Sequence, residues 1–391
     1  MRAAHSRRKL RAVNYRVLHV DTERGWRGGE RQALWLSAEL SRRGHESIVA
    51  ARTGEPLAAR AVQSGIEVLD CAPVTELDVR TALRLRRFIR QRQIDVVHAH
   101  TAHALALGAL ATLRLRVPLV AARRVDFPLR RNAGTNWKYG RAAAIIAVSE
   151  AVARVLERGE ISAERVRVVP DGVDVHRHVE AASTDTLREL GVPPGAPLVV
   201  QVAQLVGHKD PINFVRAMVR VRERVPDAVG LMVGDGPLRS AVEGELRSAD
   251  ALEAVWLAGY RTDADSLLAA ADVATLSSRE EGMGSVLLDA MTFGVPVAAT
   301  GAGGIPEVVV HGETGLLVAP ENPTALGDAI ATLLEDPELR ARMGARAPER
   351  AAEFSVERMT DRTMAVYEEV LARTRGARRS RTSAASSSSS G

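Results

Sequence analysis

A chain of 391 residues, 46% apolar and 26% charged, is long enough for two domains with separate cores and has the balance of an ordinary globular protein. Aromatics at 3% are too scarce for the stacking platforms of single-strand nucleic-acid binders, the single cysteine, Cys71, excludes an intramolecular disulfide and suits a reducing compartment, and no apolar run approaches the ~18 residues of a membrane span. The net charge of +5 is unevenly divided: residues 15–178 hold 27 basic and 18 acidic residues, residues 179–370 hold 16 and 30, and the ends 1–14 and 371–391 each carry five basic residues and no acid.

In chain order, residues 1–14 are basic, lack the apolar stretch of a signal peptide, and read as a disordered tail. Short apolar strands then alternate with amphipathic helices, the pattern of parallel βαβ units. YRVLHV (15–20) is a buried strand, RGWRGGE (24–30) a loop, and RQALWLSAELSRRG (31–44) a helix closed by Gly44. HESIVAA and IEVLD are strands, VRTALRLRRFIRQRQ (79–93) is a helix, and DVVHAH, PLVAA, AAIIAVS and VRVVP complete a first domain, 15–178. A polar, proline-rich break at 179–196 is a linker. A second series runs through LVVQVAQL, AVGLMVGDG, AVWLAGY, DVATLSS, PVAAT and TGLLVAP, giving a second domain, 197–354. The expected architecture is α/β, two Rossmann-like αβα domains. A last helix, 355–373, follows the closed second series and is free to cross back to the first domain, and 374–391 is a serine-rich disordered tail.

The stretch REEGMGSVLLDAM (279–291) concentrates chemistry. Gly282 and Gly284 make a bend, Ser285 is an N-cap, and a helix runs from Val286 to near Phe293. The amides of 285–287 then form an anion site with the helix dipole behind them. Asp289, placed in the first turn, suits that dipole without any further role. Glu281 differs: a carboxylate at the mouth of an anion site is unfavourable unless it has another partner, and sugar hydroxyls are such partners. Lys209 supplies an opposing charge. It is one of three lysines, with Lys9 and Lys138, among fifty arginines. Its place in a loop after a strand suits a site that wants a compact ammonium, although a solvated surface lysine reads the same way. The loop GWRGGE can approach an anion but lacks the spaced glycines and later acid of a dinucleotide fingerprint, which argues against a nicotinamide cofactor. In HAHTAH, His98 and His100 alternate along a strand and share a face, with His103 following; no acid or cysteine completes the set, so no metal is expected.

The segment EGMGSVLLDAM, FGVPVAAT, AGGIPEVVVHGETGLLV (281–318) resembles the donor-site signature of retaining glycosyltransferases of family 4, which have the GT-B fold. GGERQALWLSAELSRRGHE, DVVHAHTAHALALG, IIAVSEAV, VVPDGVD, VAQLVGHKDPINFVRAM and LMVGDGPLR extend the resemblance over residues 15–373. It implies two domains facing across a cleft, with a nucleotide sugar on the second and an acceptor on the first. Glu281 would hold donor-sugar hydroxyls. Asp289 stands where the family has a second Glu on the ribose. Gly282, Met283, Gly284, Ser285, Val286 and Leu287 would cradle sugar and phosphate. Lys209 would neutralise the diphosphate, Gln204 replaces the accompanying family Arg, and Gly28 and Gly29 match the glycine pair that approaches the diphosphate. On the acceptor side stand His100, Arg123 and Arg124, with Arg124 nearest to a frequent family His; an ion pair of this arginine with Asp126 or another surface acid is the alternative.

The resemblance implies transfer of a hexose from a UDP-, GDP- or ADP-sugar to an acceptor hydroxyl with retention, catalysed by Lys209, Glu281 and Arg124 and needing no cofactor or metal. Retaining hydrolases use two carboxylates about 5 Å apart, and no such pair is evident; the resemblance implies a front-face route, in which the departing phosphate itself takes the acceptor proton. The basic first half and tails, and the Leu/Phe/Ile/Arg mixture of LRLRRFIRQR (83–92), suit an anionic membrane surface. The expected protein is therefore cytoplasmic or peripheral on the inner face of the membrane. It would glycosylate a lipid-linked or glycan acceptor of the cell envelope, such as a lipopolysaccharide core, with no nucleic-acid partner. The rival functions are a sugar-nucleotide epimerase and a non-catalytic sugar-nucleotide binder.

Overall fold

The computed structural model describes residues 14–130 and 132–387, with side chains through residue 376. The basic tail 1–14, except Asn14, and the last four residues lie outside the described residues. Strands form where short apolar, mostly β-branched runs appear in the sequence: β1 Arg16–Val20, β2 Glu46–Ala51, β3 Glu67–Asp70, β4 Val96–Ala99, β5 Leu119–Arg123, β6 Ala144–Ala147 and β7 Val166–Val168. They build a parallel sheet in the order β3-β2-β1-β4-β5-β6-β7. A second parallel sheet, in the order β10-β9-β8-β11-β12-β13, is made by β8 Leu198–Val202, β9 Val229–Val233, β10 Val255–Gly259, β11 Val273–Leu276, β12 Val297–Thr300 and β13 Gly315–Val318. Strands β4, β6, β9, β11 and β12 are buried along their whole length, as expected of parallel strands covered by helices.

In each sheet the strand order reverses once between central neighbours, β1 with β4 and β8 with β11. The crevice beyond the carboxyl ends of such a pair is where open α/β sheets take ligands. Under β8 and β9 the core is held by Phe214 and Met218, both fully buried, against Val199, Met232 and Leu333. The chain divides into two compact units, residues 1–121 with 141–143 and 367–391, and residues 122–140 with 144–366.

Two boundaries differ from the sequence expectation. The first helix is Gly28–Arg42, so the glycine pair expected in a loop opens the helix instead. Glu30, at the third helical position, makes this favourable by accepting from the Arg27 amide at 2.8 Å. The last helix runs Val356–Ser387, past residue 373, through a stretch in which Arg and Ala, good helix formers, are interspersed with Ser, Thr and Gly and which composition alone marks as a tail.

Cys71 is fully buried after β3, and burial pushes its thiol up to about 12. Only the thiolate is nucleophilic. A thiol-reactive chromophore should therefore label no thiol in the native protein at pH 8 and one per chain in denaturant; fast native labelling would contradict this packing.

Candidate active site

Lys209 and Glu281 come together beyond the carboxyl ends of the central pair of the second sheet. Lys209 ends a 3-10 turn, Gly207–Lys209, after β8, and Glu281 lies in the loop after β11. The next residue, Asp210, adopts a φ of 45°, a left-handed conformation that aspartate tolerates better than most residues, and Pro211 opens helix Pro211–Arg222. The Asp210 carboxylate caps that helix at the Asn213 amide and pairs with Arg279 at 2.7 Å. The Ser277 hydroxyl donates to the Asp210 carbonyl at 2.8 Å, and the Ser277 amide donates to Gln201 Oε1 at 3.2 Å. Lys209 is thus aimed by a capped, buried turn. Its ammonium forms an ion pair with Glu281 Oε2, which also accepts from the Ser278 hydroxyl at 3.2 Å. The two side chains are 20% and 11% exposed.

The loop after Glu281 is packed backbone to backbone. A Cβ on Gly282 would lie 2.0 Å from the Arg124 carbonyl oxygen, so only glycine fits. The Glu281 amide donates to Asp126 Oδ2 at 2.8 Å, and the Ser149 hydroxyl donates to the Gly282 carbonyl at 2.6 Å. The Asp171 amide meets Met283 Sδ at 3.2 Å. Glu307 accepts from the amides of Glu150 and Ala151 at 2.8 and 2.9 Å, capping helix Glu150–Arg158.

The helix after this loop is Ser285–Thr292, starting one residue early. Gly284, with a φ of 79°, takes the N-cap position expected for Ser285, because the chain must enter the helix from the left-handed region. The Leu287 amide donates back to the Gly284 carbonyl at 2.9 Å, so of the three amides expected to form the anion site only those of Ser285 and Val286 project from the helix end. The early start also moves Asp289 out of the first turn. Its carboxylate is 1% exposed and sits 3.3 Å from Arg177 NH2, while Arg177 NH1 holds Asp265 at 2.7 Å. Gln204 is exposed in the loop after β8.

The two arginines at the end of β5 have different surroundings. Arg123 is 6% exposed and reaches Tyr139 Oη at 3.2 Å and the Phe127 carbonyl at 2.5 Å; these contacts turn it inward, against the expected place at an acceptor surface. Arg124 pairs through Nε with Asp171 Oδ1 at 2.9 Å, not with Asp126, whose carboxylate is taken by the Glu281 amide. The other unit carries Gly28, Gly29 and His100. His100 is 5% exposed, its Nε2 3.0 Å from His19 Nδ1. His103, which sequence spacing grouped with His98 and His100, is exposed and faces Glu23 at 3.3 Å.

Asp126, Ser149, Asp171, Ser278 and Glu307 were not singled out as site residues in the sequence. Ser149, Asp171, Ser278 and Glu307 lie in or beside motifs that carry the family resemblance, and Asp126 lies two residues past Arg124, but nothing local says that these segments converge on residues 281–283. Gly282→Ala should lower the stability of the second unit by about 1–3 kcal/mol, the usual cost of overpacking, read as an earlier urea midpoint; an unchanged midpoint would mean that the Arg124 backbone does not pack there.

The protein-family model described as Glycosyl transferases group 1 matches residues 183–350, and that described as Glycosyltransferase Family 4 matches residues 26–177. The chain is 30% identical over 295 residues to a 2-deoxystreptamine glucosyltransferase of Streptomyces kanamyceticus, covering 73% of this chain and 74% of that protein. It is 30% identical over 336 residues to a D-inositol 3-phosphate glycosyltransferase of Nocardia farcinica, covering 78% and 73%. It is 31% identical over 207 residues to an N-acetyl-alpha-D-glucosaminyl L-malate synthase of Bacillus anthracis, where the match spans about half of each chain, 53% and 54%. Among solved structures, Anabaena Alr3699/HepE in complex with UDP and glucose superposes with a TM-score of 0.80 at 22% identity, covering 91% of this chain and 100% of that one. Sucrose-phosphate synthase of Thermosynechococcus elongatus gives 0.72 at 19%, covering 91% and 99%. The likeness to these structures shows the fold, which is GT-B.

Proposed function

The chain belongs to the family 4 glycosyltransferases, and from that premise we propose that it moves a sugar from a nucleoside diphosphate to an acceptor hydroxyl with retention of configuration. The observation that carries this reading is the meeting of Lys209 with Glu281 at the switch point of the second sheet, beside a glycine-tight loop and a helix N-terminus. An ammonium has three donors, so Lys209 can keep Glu281 and still hold a diphosphate oxygen. Glu281, anchored by Lys209 and Ser278, accepts from the sugar hydroxyls, and the Ser285 and Val286 amides add their dipoles at the phosphate. As the bond to the anomeric carbon breaks, negative charge grows on the leaving diphosphate, and these fixed positive groups stabilise it without reorganising. The acceptor proton passes to a diphosphate oxygen on the same face. Arg124 contributes a guanidinium oriented by Asp171. Asp289 completes the donor contacts in this reading, and no resident cofactor is required.

For the acceptor, the relatives named above act on 2-deoxystreptamine, D-inositol 3-phosphate and L-malate, two of them anionic. The excess of basic residues in 15–178 suits an anionic, hydroxyl-bearing acceptor. A lipid-linked or lipopolysaccharide-type glycan meets the same description. It is favoured by helix Val79–Gln91, whose exposed Val79 and Leu83 lie among exposed arginines. Within the described residues no helix is long and apolar enough to cross a membrane, so any membrane contact of this helix would be peripheral.

Four measurements test the proposal. UDP-, GDP- and ADP-sugars are screened for a rise in melting temperature, and the best donor is incubated with small polyols, hydroxy acids and lipid-linked glycans. Glu281→Gln or Lys209→Ala should cut turnover by roughly 10²–10³, the scale of losing one transition-state stabiliser, with the fold intact by circular dichroism. The product should keep the donor's anomeric configuration by NMR; an inverted product, or epimerised donor with no acceptor present, would sink the reading. Vesicles of anionic lipid should co-sediment the protein at low salt, and loss of that binding in an Arg84→Glu, Arg87→Glu variant would place it on the helix; failure of wild type to bind would leave the small anionic acceptor.

A further inference from the structure

The first sheet also has a switch point, between β1 and β4, and it carries three histidines. His19 on β1 lies directly across the register from His98 on β4, and His100 follows β4. All three are buried, 0%, 1% and 5% exposed. One ring nitrogen from each lies within 4.8 Å of the others. His19 Nδ1 is 3.0 Å from His100 Nε2, and the His98 ring packs 4.2 Å from that of His100. No glycosyl-transfer step proposed above uses His19 or His98.

We propose that His19, His98 and His100 form a binding site for one late first-row divalent cation of the zinc type. Three imidazoles with no carboxylate are a borderline-soft donor set, which selects Zn²⁺, Co²⁺, Ni²⁺ or Cu²⁺ over Mg²⁺ or Ca²⁺. Zinc–nitrogen bonds of about 2.0–2.1 Å in a tetrahedron set neighbouring nitrogens roughly 3.3 Å apart; the His19–His100 pair is already at 3.0 Å, and His98 has a nitrogen within 4.8 Å of both. Tyr367 Oη hydrogen-bonds His98 Nδ1 at 2.7 Å, the outer-shell contact that turns the opposite nitrogen of a ligating histidine toward a metal. His19 Nε2 is buried without a hydrogen-bond partner among the described residues, so that nitrogen can carry the ring proton while Nδ1 offers its lone pair. The opposite tautomer at His98 and His100, with the proton on Nδ1 and the lone pair on Nε2, lets all three bind without losing a proton. The cation would tie β1 to the residue after β4 and, through Tyr367, to the last helix; its fourth position would take water.

The test uses the full chain stripped with a chelator and then titrated with Zn²⁺ or Co²⁺. Wild type should bind about one equivalent tightly, give the ligand-field spectrum of four-coordinate cobalt, and show imidazole nitrogens in the metal's X-ray absorption. His19→Gln should abolish stoichiometric binding, and Tyr367→Phe, which leaves all three ligands in place, should weaken it about 10–100-fold. If His19→Gln fails to fold, the wild-type absorption spectrum and Tyr367→Phe still decide. Wild type that binds less than about a tenth of an equivalent, or a folded His19→Gln that binds as wild type does, would overturn the site and leave the three rings as a hydrogen-bonded core cluster.

Discussion

The candidate site depends on one steric constraint: the backbone at residue 282 touches the backbone at residue 124. At that contact there is no room for even one carbon beyond the main chain. Because Gly282 can sit there, the carbonyl of Gly282 reaches the Ser149 hydroxyl and the Glu281 amide reaches Asp126. Those bonds hold the peptide of Glu281 from both sides. Its side chain is therefore presented to Lys209 by a rigid support, which is what preorganised catalysis demands of a charged group. A loop free to move would lose that benefit, since misplacement by an ångström is enough to cost orders of magnitude in rate.

Charge around the loop is already paired before any ligand enters. Lys209 is joined to Glu281, Arg124 to Asp171, and Arg177 to both Asp265 and Asp289. At contact distance near a protein surface each such pair has a Coulomb energy of about 4 kcal/mol, offset by desolvation. In the proposed reaction a diphosphate would therefore have to share cations. Lysine is well suited to that at 209, because a compact ammonium with three rotatable donors can hold two acceptors at once, whereas a planar guanidinium locked on a carboxylate cannot turn.

Much of this was legible in the sequence. All the strands appear as short apolar runs, because parallel strands are covered on both faces and need no alternation. Glu281 and Lys209 stood out because each is chemically out of place, an acid beside an anion site and a lysine in an arginine-rich chain. What could not be read depends on register and on remote contacts. The spacing of HAHTAH suggested His98, His100 and His103 as a group, but His103 sits at the start of a helix and faces solvent. Its place beside the other two is taken by His19, 79 residues before His98, and only the pairing of β1 with β4 puts it there. The glycine pair at 28–29 misled for a local reason. Glycine marks loops on average, and the Glu30 side chain, which accepts from the Arg27 amide at the N-cap, outweighs that tendency here.

The family resemblance departs from pattern at 204 and 289, and the structure gives the two departures different weight. Gln204 is exposed, so its neutral amide costs nothing in folding, and in the proposed reaction diphosphate attraction would fall to Lys209 and the helix end. Asp289 is nearly inaccessible and already bonded to Arg177. A ribose hydroxyl meeting it would exchange one hydrogen bond for another, a net gain of about 1 kcal/mol or less. By contrast, Lys209 and Glu281 remain 20% and 11% exposed and sit at the mouth of the crevice. In the proposed reaction the binding energy is therefore concentrated at the diphosphate and the sugar, the two groups between which the bond breaks. Binding energy realised there can strengthen as charge develops, while binding energy on the ribose would lower the ground state and the transition state alike.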